Sequence, residues 1–343
     1  MRLSRIIRVR LMRLRQRFAT RLGAGSLVLL GAGSLVLVGL VALRIADPLP
    51  VQAIRQGYFD LLQRLSPREA AEAPVRIVDI DEASLARLGQ WPWPRDVLAA
   101  LVARLGEARA AVVALDILLA EPDRLSPDRL SRDPLLAPYL IRPEGADLPD
   151  RDALLAEAME RVPVAVGTAR AAIAGDTAPT PRLDVFSMVE GLGDALPDSG
   201  AMTPIVPVID AAAAGVGSIN VAPGSDTAVV RRVPLLWNTP AGTMPALSVE
   251  ALRLALGEDG VILWDDPENA GGLAAVGIGA FDVPVTRDGL FWVHFRRDDP
   301  SDYIPAWEVL EPGYAGDLDG TIVFVGTSAA GLLDIRATAL GQN

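Results

Sequence analysis

The sequence predicts an α/β fold, with a mixed, largely parallel sheet flanked by helices and one transmembrane helix in front. Three observations predict it. Residues 22–43 run for 22 positions without a charge. The runs 74–81, 111–119 and 321–329 are short, apolar and rich in β-branched residues, as strands covered on both faces are. An amphipathic helical stripe lies between the first two, giving a strand–helix–strand unit with parallel pairing.

The span LGAGSLVLLGAGSLVLVGLVAL (22–43) covers roughly 33 Å as a helix, enough to cross a hydrocarbon core. The head before it, residues 1–21, carries eight arginines and no acid. Under the positive-inside rule the head stays cytoplasmic, and residues 44–343 lie outside, in the periplasm or beyond the cell. A cleavable signal peptide has an apolar region of only about 7–15 residues followed by a small-x-small site, so the longer run here reads as an uncleaved anchor. The block GAGSLVL occurs twice within it; without a strict Gly-x-x-x-Gly it reads as an ordinary glycine-rich span.

Each later element has its own signal. PVRIVDID (74–81) is a strand ending in acids, and SLARLG is a short helix or turn. In PRDVLAALVARLGEARA the stripe Val97, Leu98, Leu101, Val102 and Leu105 marks a helix, with Pro94 at its first turn and Gly106 at its end. AVVALDILL (111–119) is the second strand, and the Pro-, Asp- and Arg-rich residues 120–150 are an irregular excursion. RDALLAEAMERVPVAVGT reads as a helix and a third strand ending at Gly167. Residues 171–200 read as loop, and AGVGSINVAPGSDTAVVRRVPLLWN as two antiparallel strands around a turn. MPALSVEALRLALG (244–257) is a helix with a glycine stop, GLFWVHF (289–295) a strand, PAWEVLEPG a short helix and TIVFVGTSA (321–329) the last buried strand.

Composition excludes several functions. No cysteine is present, so disulfides, thiolate catalysis and cysteine–zinc sites are ruled out, and one histidine rules out a two-histidine metal site. All 32 basic residues are arginine. Beyond residue 43 there are 24 arginines against 43 acids, a net charge of −19, which repels nucleic-acid phosphates. No Gly-x-Gly-x-x-Gly, Walker or Gly-x-Ser-x-Gly spacing occurs. His294 reads as structural, and Arg231–Arg232 as surface charge. No catalytic constellation, cofactor or metal is expected.

Ligands of open α/β sheets bind beyond the carboxyl ends of the strands. Here those ends carry Asp79 and Asp81, then Asp116, then Gly167-Thr168, then Gly326-Thr327-Ser328. Clustered carboxylates suit hard cations and glycine turns suit anions. The plainer alternative is that Asp81 or Asp116 caps a following helix, and that Asp79 is a structural ion-pair partner. In GQWPWPRD (89–96), Asp96 suits the helix dipole and Arg95 opposes it. Arg95 is therefore expected to pair with Asp79, Asp81 or Asp116. Trp91 and Trp93, stiffened by Pro92 and Pro94, wall the same corner and read as structural or signal-transmitting.

The order of these motifs resembles the CHASE type-two domain, an extracytoplasmic sensor module of bacterial receptors, from about residue 47 onward. The resemblance rests on the Asp-x-Asp of Asp79 and Asp81, the Trp-Pro-Trp-Pro-Arg block from Trp91 to Arg95, Asp116, and Gly326, Thr327 and Asp334. Asp226-Thr227-Ala228 stands where the family usually has Asp-Gly, and Thr338-Ala339 where it has Thr-Pro. The resemblance implies a sensor in a bacterial inner membrane that works as a homodimer and responds to an extracytoplasmic ligand. It also implies a cytoplasmic nucleotide cyclase, histidine kinase or diguanylate cyclase reached through further membrane helices. None of these lies in the 343 residues, so the chain reads as a fragment or a stand-alone sensor. The rival readings are a periplasmic hydrolase using the carboxylate rim and an envelope protein that binds a partner protein.

Overall fold

The computed structural model describes residues 24–69, 73–135, 137–139, 149–171, 178–221, 229–267, 271–329 and 336–342. The arginine-rich head, the turn at 226–228 and Asp334 lie outside the described residues. The chain forms two compact units, Met1–Leu62 and Gln63–Asn343.

In the first unit, helix α1 (Ala24–Ala46) contains the apolar stretch Val28–Ala46, which is long and apolar enough to cross a membrane. Its described side chains are exposed, as an apolar surface meant for lipid is. Asp47, at a positive φ of 38°, and Pro48 end it. Helix α2 (Leu49–Leu65) follows, and Arg55 pairs with Asp47 at 2.9 Å across the break.

The second unit is built on a six-stranded parallel sheet. Its members are β1 (Val75–Ile80), β2 (Val112–Leu115), β3 (Val164–Thr168), β5 (Gly215–Ser218), β14 (Tyr303–Pro305) and β15 (Ile322–Thr327), in the order β14-β1-β15-β2-β3-β5. Alternation decides what each face touches. Val113 and Leu115 of β2 join Val164, Val166, Val323 and Val325 in the main core, while Val112 and Ala114 join Ala165 and Ile322 on the other face. This double coverage explains why the strands read as unbroken apolar runs.

On the main face lie α3 (Glu82–Leu88), α4 (Arg95–Glu107), α6 (Arg151–Met159), α7 (Pro207–Ala212) and α9 (Ala306–Leu310); the short α5 (Pro127–Leu130) comes between α4 and α6 in the chain. Helix α4 buries Leu98, Leu101, Val102 and Leu105, as its stripe predicts. The opposite face is covered by α8 (Leu247–Leu256), which ends at Gly257 with φ 70°. Its approach depends on glycine: a Cβ on Gly217 would lie 2.5 Å from Leu247 Cα. The neighbouring Gly215 leaves room for the buried Glu250, which pairs with Arg253 at 2.8 Å.

A second sheet has the order β12-β11-β10-β4, from β4 (Asp184–Ser187), β10 (Gly260–Asp265), β11 (Leu273–Ile278) and β12 (Phe281–Pro284). Its core holds Leu192, Leu196, Val261, Leu263, Val276 and Ile278. Smaller pairings join β7 (Arg232–Pro234) to β13 (Leu290–Trp292), β8 (Leu236–Thr239) to β9 (Gly242–Pro245), and β16 (Ala337–Thr338) to both β6 (Val229–Val230) and β17 (Gly341–Gln342).

Four expectations need correction. β1 and β2 are parallel but not neighbours, because β15 inserts between them and pairs with both. Among the described residues β5 does not pair with the strands that follow it: small residues let it slide under α8 and pair with β3, while β7 pairs with β13. Residues 171–200 contain β4, whose four residues are all exposed and so carry no alternating signal. Helix α4 ends through Arg109, at φ 66°, with Ala110 N donating to Leu105 O at 3.1 Å; Gly106 instead packs against Val162.

Candidate functional site: the carboxyl rim and the tryptophan corner

Parallel register brings the strand ends into one row. Asp79 lies across from Gly326, Ile80 from Thr327, and Leu115 from Val325. Asp116 therefore follows beside Gly326, its N donating to Val325 O at 2.9 Å. Gly167 and Thr168 face Gly217 and Ser218 farther along.

The rim side chains have different surroundings. Asp79 is half-buried and accepts Ser328 Oγ at 2.6 Å and Ser328 N at 3.1 Å. Burial pushes its carboxyl above the usual 3.8; the Ser328 hydrogen bonds oppose this and the charge of Asp81 adds to it. Asp81 accepts Ser84 N at 2.7 Å and is the N-cap of α3. Asp116 is exposed and Thr327 half-buried. Among the described residues, no three His, Cys, Asp or Glu side chains are grouped to hold a metal ion.

The corner is built more tightly. Trp93 is 2% exposed and meets Trp91 edge to face, with ring centroids 5.8 Å apart. Its Nε1 donates to Gly89 O at 2.9 Å. Trp91-Pro92 is a cis peptide, and Pro94 takes the N-cap position of α4. Pro94 offers no side-chain cap, so Asp123 supplies one from the following excursion: its Oδ2 accepts Arg95 N at 2.8 Å and its Oδ1 accepts Leu125 N at 2.8 Å.

Arg95 is buried and pairs with Asp152, Nε to Oδ1 at 3.5 Å, rather than with Asp79, Asp81 or Asp116. The reason is packing: α6 lies along α4 and delivers Asp152 to the N-terminal end of α4. Arg95 Nη2 also donates to Glu121 O at 3.2 Å. Asp152 accepts Asp123 N through both oxygens, at 3.0 and 3.2 Å. Burial pushes Asp152 upward against the hydrogen bond from Asp123 and the charge of Arg95. Trp91, Trp93, Arg95, Asp123 and Asp152 thus join α4, α6 and residues 120–125 into one unit. Asp123 and Asp152 had no signal in the sequence beyond their charge.

A third feature lies within the second unit, where its first residues, Gln63 to Arg68, bond to residues 293–295 and Ala339. Gln63, 5% exposed, donates Nε2 to Val293 O at 2.8 Å and accepts Phe295 N at 3.2 Å. Arg64 Nε donates to Ala339 O at 2.9 Å. Arg68 N donates to Phe295 O at 2.9 Å, and His294 Nε2 lies 3.1 Å from Ser66 O. His294 is exposed and serves this junction, in keeping with a structural role.

No curated protein and no solved structure matches the chain. A family profile does match, over residues 33–342, and its description is the CHASE2 domain. The matched stretch takes in part of α1, the rim, the corner and the Gln63 junction, so that the chain belongs to the CHASE2 family of extracytoplasmic sensor domains.

Proposed function

We propose that this chain is the sensory part of a transmembrane signalling receptor, anchored by α1 in a bacterial inner membrane. The head is cytoplasmic and the sheet domain periplasmic. A ligand-dependent shift of the domain passes through α2 and the membrane helices to a cytoplasmic output domain such as a nucleotide cyclase, histidine kinase or diguanylate cyclase. The observation that carries this reading is the junction of Gln63 and Arg64. The last turn of α2 is hydrogen-bonded to residues 293–295 and to Ala339, so a displacement of either has a direct route into that helix.

The receptor works as a homodimer in this reading. Ile54, Tyr58, Leu61 and Leu65 are exposed along α2 at spacings of four, three and four, which is the seam of a two-stranded coiled coil. A second copy suits that seam, because two α1 helices in one bilayer hold their α2 helices parallel. Sequencing the native locus beyond codon 343 tests the proposal. A continuing frame with apolar spans and a cyclase or kinase is expected; a stop codon at that point contradicts it.

A further inference from the structure

A cleft of the sheet domain lies away from the rim and the corner, beside the N-terminal end of β1. It has a volume of about 690 Å³, within the range of small-molecule sites. Val75, Ile77 and Pro74 give it an apolar floor, and its polar walls hold three arginines, Arg68, Arg76 and Arg296, and three acids, Glu69, Asp299 and Asp302.

The commitments of these groups are unequal. Arg296 is paired with Asp302. Asp299 accepts Ser301 N at 2.9 Å, and that bond together with Arg296 holds its carboxyl below the usual range. Arg76 spends one Nη1 hydrogen on Val75 O at 2.9 Å. Among the described residues, neither Arg68 nor Arg76 has a carboxylate within ion-pair distance. Glu69, exposed at the mouth of the cleft, offsets one of these charges, and the unspent donors of the walls are the guanidinium groups of Arg68 and Arg76, in a domain whose overall charge is strongly negative.

We infer that this cleft binds a small organic anion with two or more acidic groups, carboxylate or phosphate, anchored by the guanidinium groups of Arg68 and Arg76. Planar guanidinium forks suit both groups. Such an anion also competes with Asp302 for Arg296. Asp302 immediately precedes β14, which pairs with β1 from Ile77 to Asp79, so the exchange reaches the rim through one short edge strand. Arg296 further adjoins residues 293–295, which hold Gln63. The inference deepens the sensory reading and rests on it only for the consequence of binding.

Calorimetric titration of the full chain in detergent micelles, at fixed ionic strength, tests it with citrate and inorganic phosphate as probes. Saturable binding of at least one probe is expected. Arg76→Gln weakens it by about tenfold, the loss of one charged hydrogen bond, and Arg68→Gln with Arg76→Gln removes it. Arg76→Lys keeps the charge and guards against a folding artefact; it is expected to bind between wild type and Arg76→Gln. Arg109→Gln, at an exposed ion pair elsewhere, binds as wild type. Citrate alone identifies a carboxylate ligand and phosphate alone a phosphate ligand. Absence of saturable binding by both probes, or unchanged binding in the folded double variant, overturns the inference while leaving the receptor reading to its own tests.

Discussion

Gln63 holds Val293 by donating Nε2 to its carbonyl at 2.8 Å, and the same side chain accepts Phe295 N at 3.2 Å. One buried amide thus satisfies two backbone groups more than 200 positions away in the chain, all within the second unit. Gln63→Leu leaves both backbone groups without their partner, which costs about 1–3 kcal/mol for each group shut off from water. Urea unfolding of the full chain, followed by tryptophan fluorescence, is expected to show a lower midpoint for Gln63→Leu than for wild type.

Arg95 and Asp152 make a second measurable relationship. Their side chains are 10% and 3% exposed, so removing one partner strands a buried charge. Arg95→Met is expected to destabilise the domain by about 3–5 kcal/mol. The same urea assay checks this, and a loss below 1 kcal/mol would show that the pair is not shut off from water.

Gly217 provides a steric test. Its Cβ position lies 2.5 Å from Leu247 Cα and 2.8 Å from Leu247 N, both backbone atoms of the helix that covers the sheet. Gly217→Ala must push α8 off β5, at a cost of roughly 1–3 kcal/mol or more. A thermal midpoint equal to wild type would mean that α8 is not seated as described.

Asp79 gives a pH dependence with a definite sign. Its carboxyl in the folded domain is raised above 3.8, mainly by burial. Between 3.8 and the raised value, the folded state holds the proton and the unfolded state does not. This group therefore adds stability as pH falls through that window, in full below 3.8, and the contribution is lost as pH rises through the folded value. Asp79→Asn removes the ionisation and keeps an oxygen for Ser328. The variant is expected to be more stable than wild type at pH 7, with the difference shrinking as the pH approaches 3.8, as denaturation at a series of pH values would record.

The residues themselves explain what could be read in advance. β1, α4 and β15 were legible because Val78, Ile80, Leu101, Val323 and Val325 are covered by the core and leave an uninterrupted apolar pattern. The place of β15 between β1 and β2 was not legible, since pattern gives a strand's burial and not its neighbours. The second sheet escaped because β4 is exposed along its whole length and its partners follow a glycine-rich stretch. At the corner, Trp93 and Arg95 stood out by type. Asp123 and Asp152 did not, because a carboxylate becomes a cap or an ion-pair partner only through packing between segments 28 and 29 residues apart. Arg68 and Arg296 are brought together by a single β-bridge across more than 200 residues, which no local signal announces.

The central claim, a sensor domain held outside the membrane by α1, is tested most directly by cysteine labelling. The native chain has no cysteine, so a single introduced thiol is the only target. Ala241→Cys sits in an exposed turn between β8 and β9, and Ser4→Cys lies in the arginine-rich head. In intact spheroplasts, a membrane-impermeant maleimide is expected to label Ala241→Cys at once and Ser4→Cys only after lysis. Labelling of Ser4→Cys before lysis, with Ala241→Cys protected, would contradict the account.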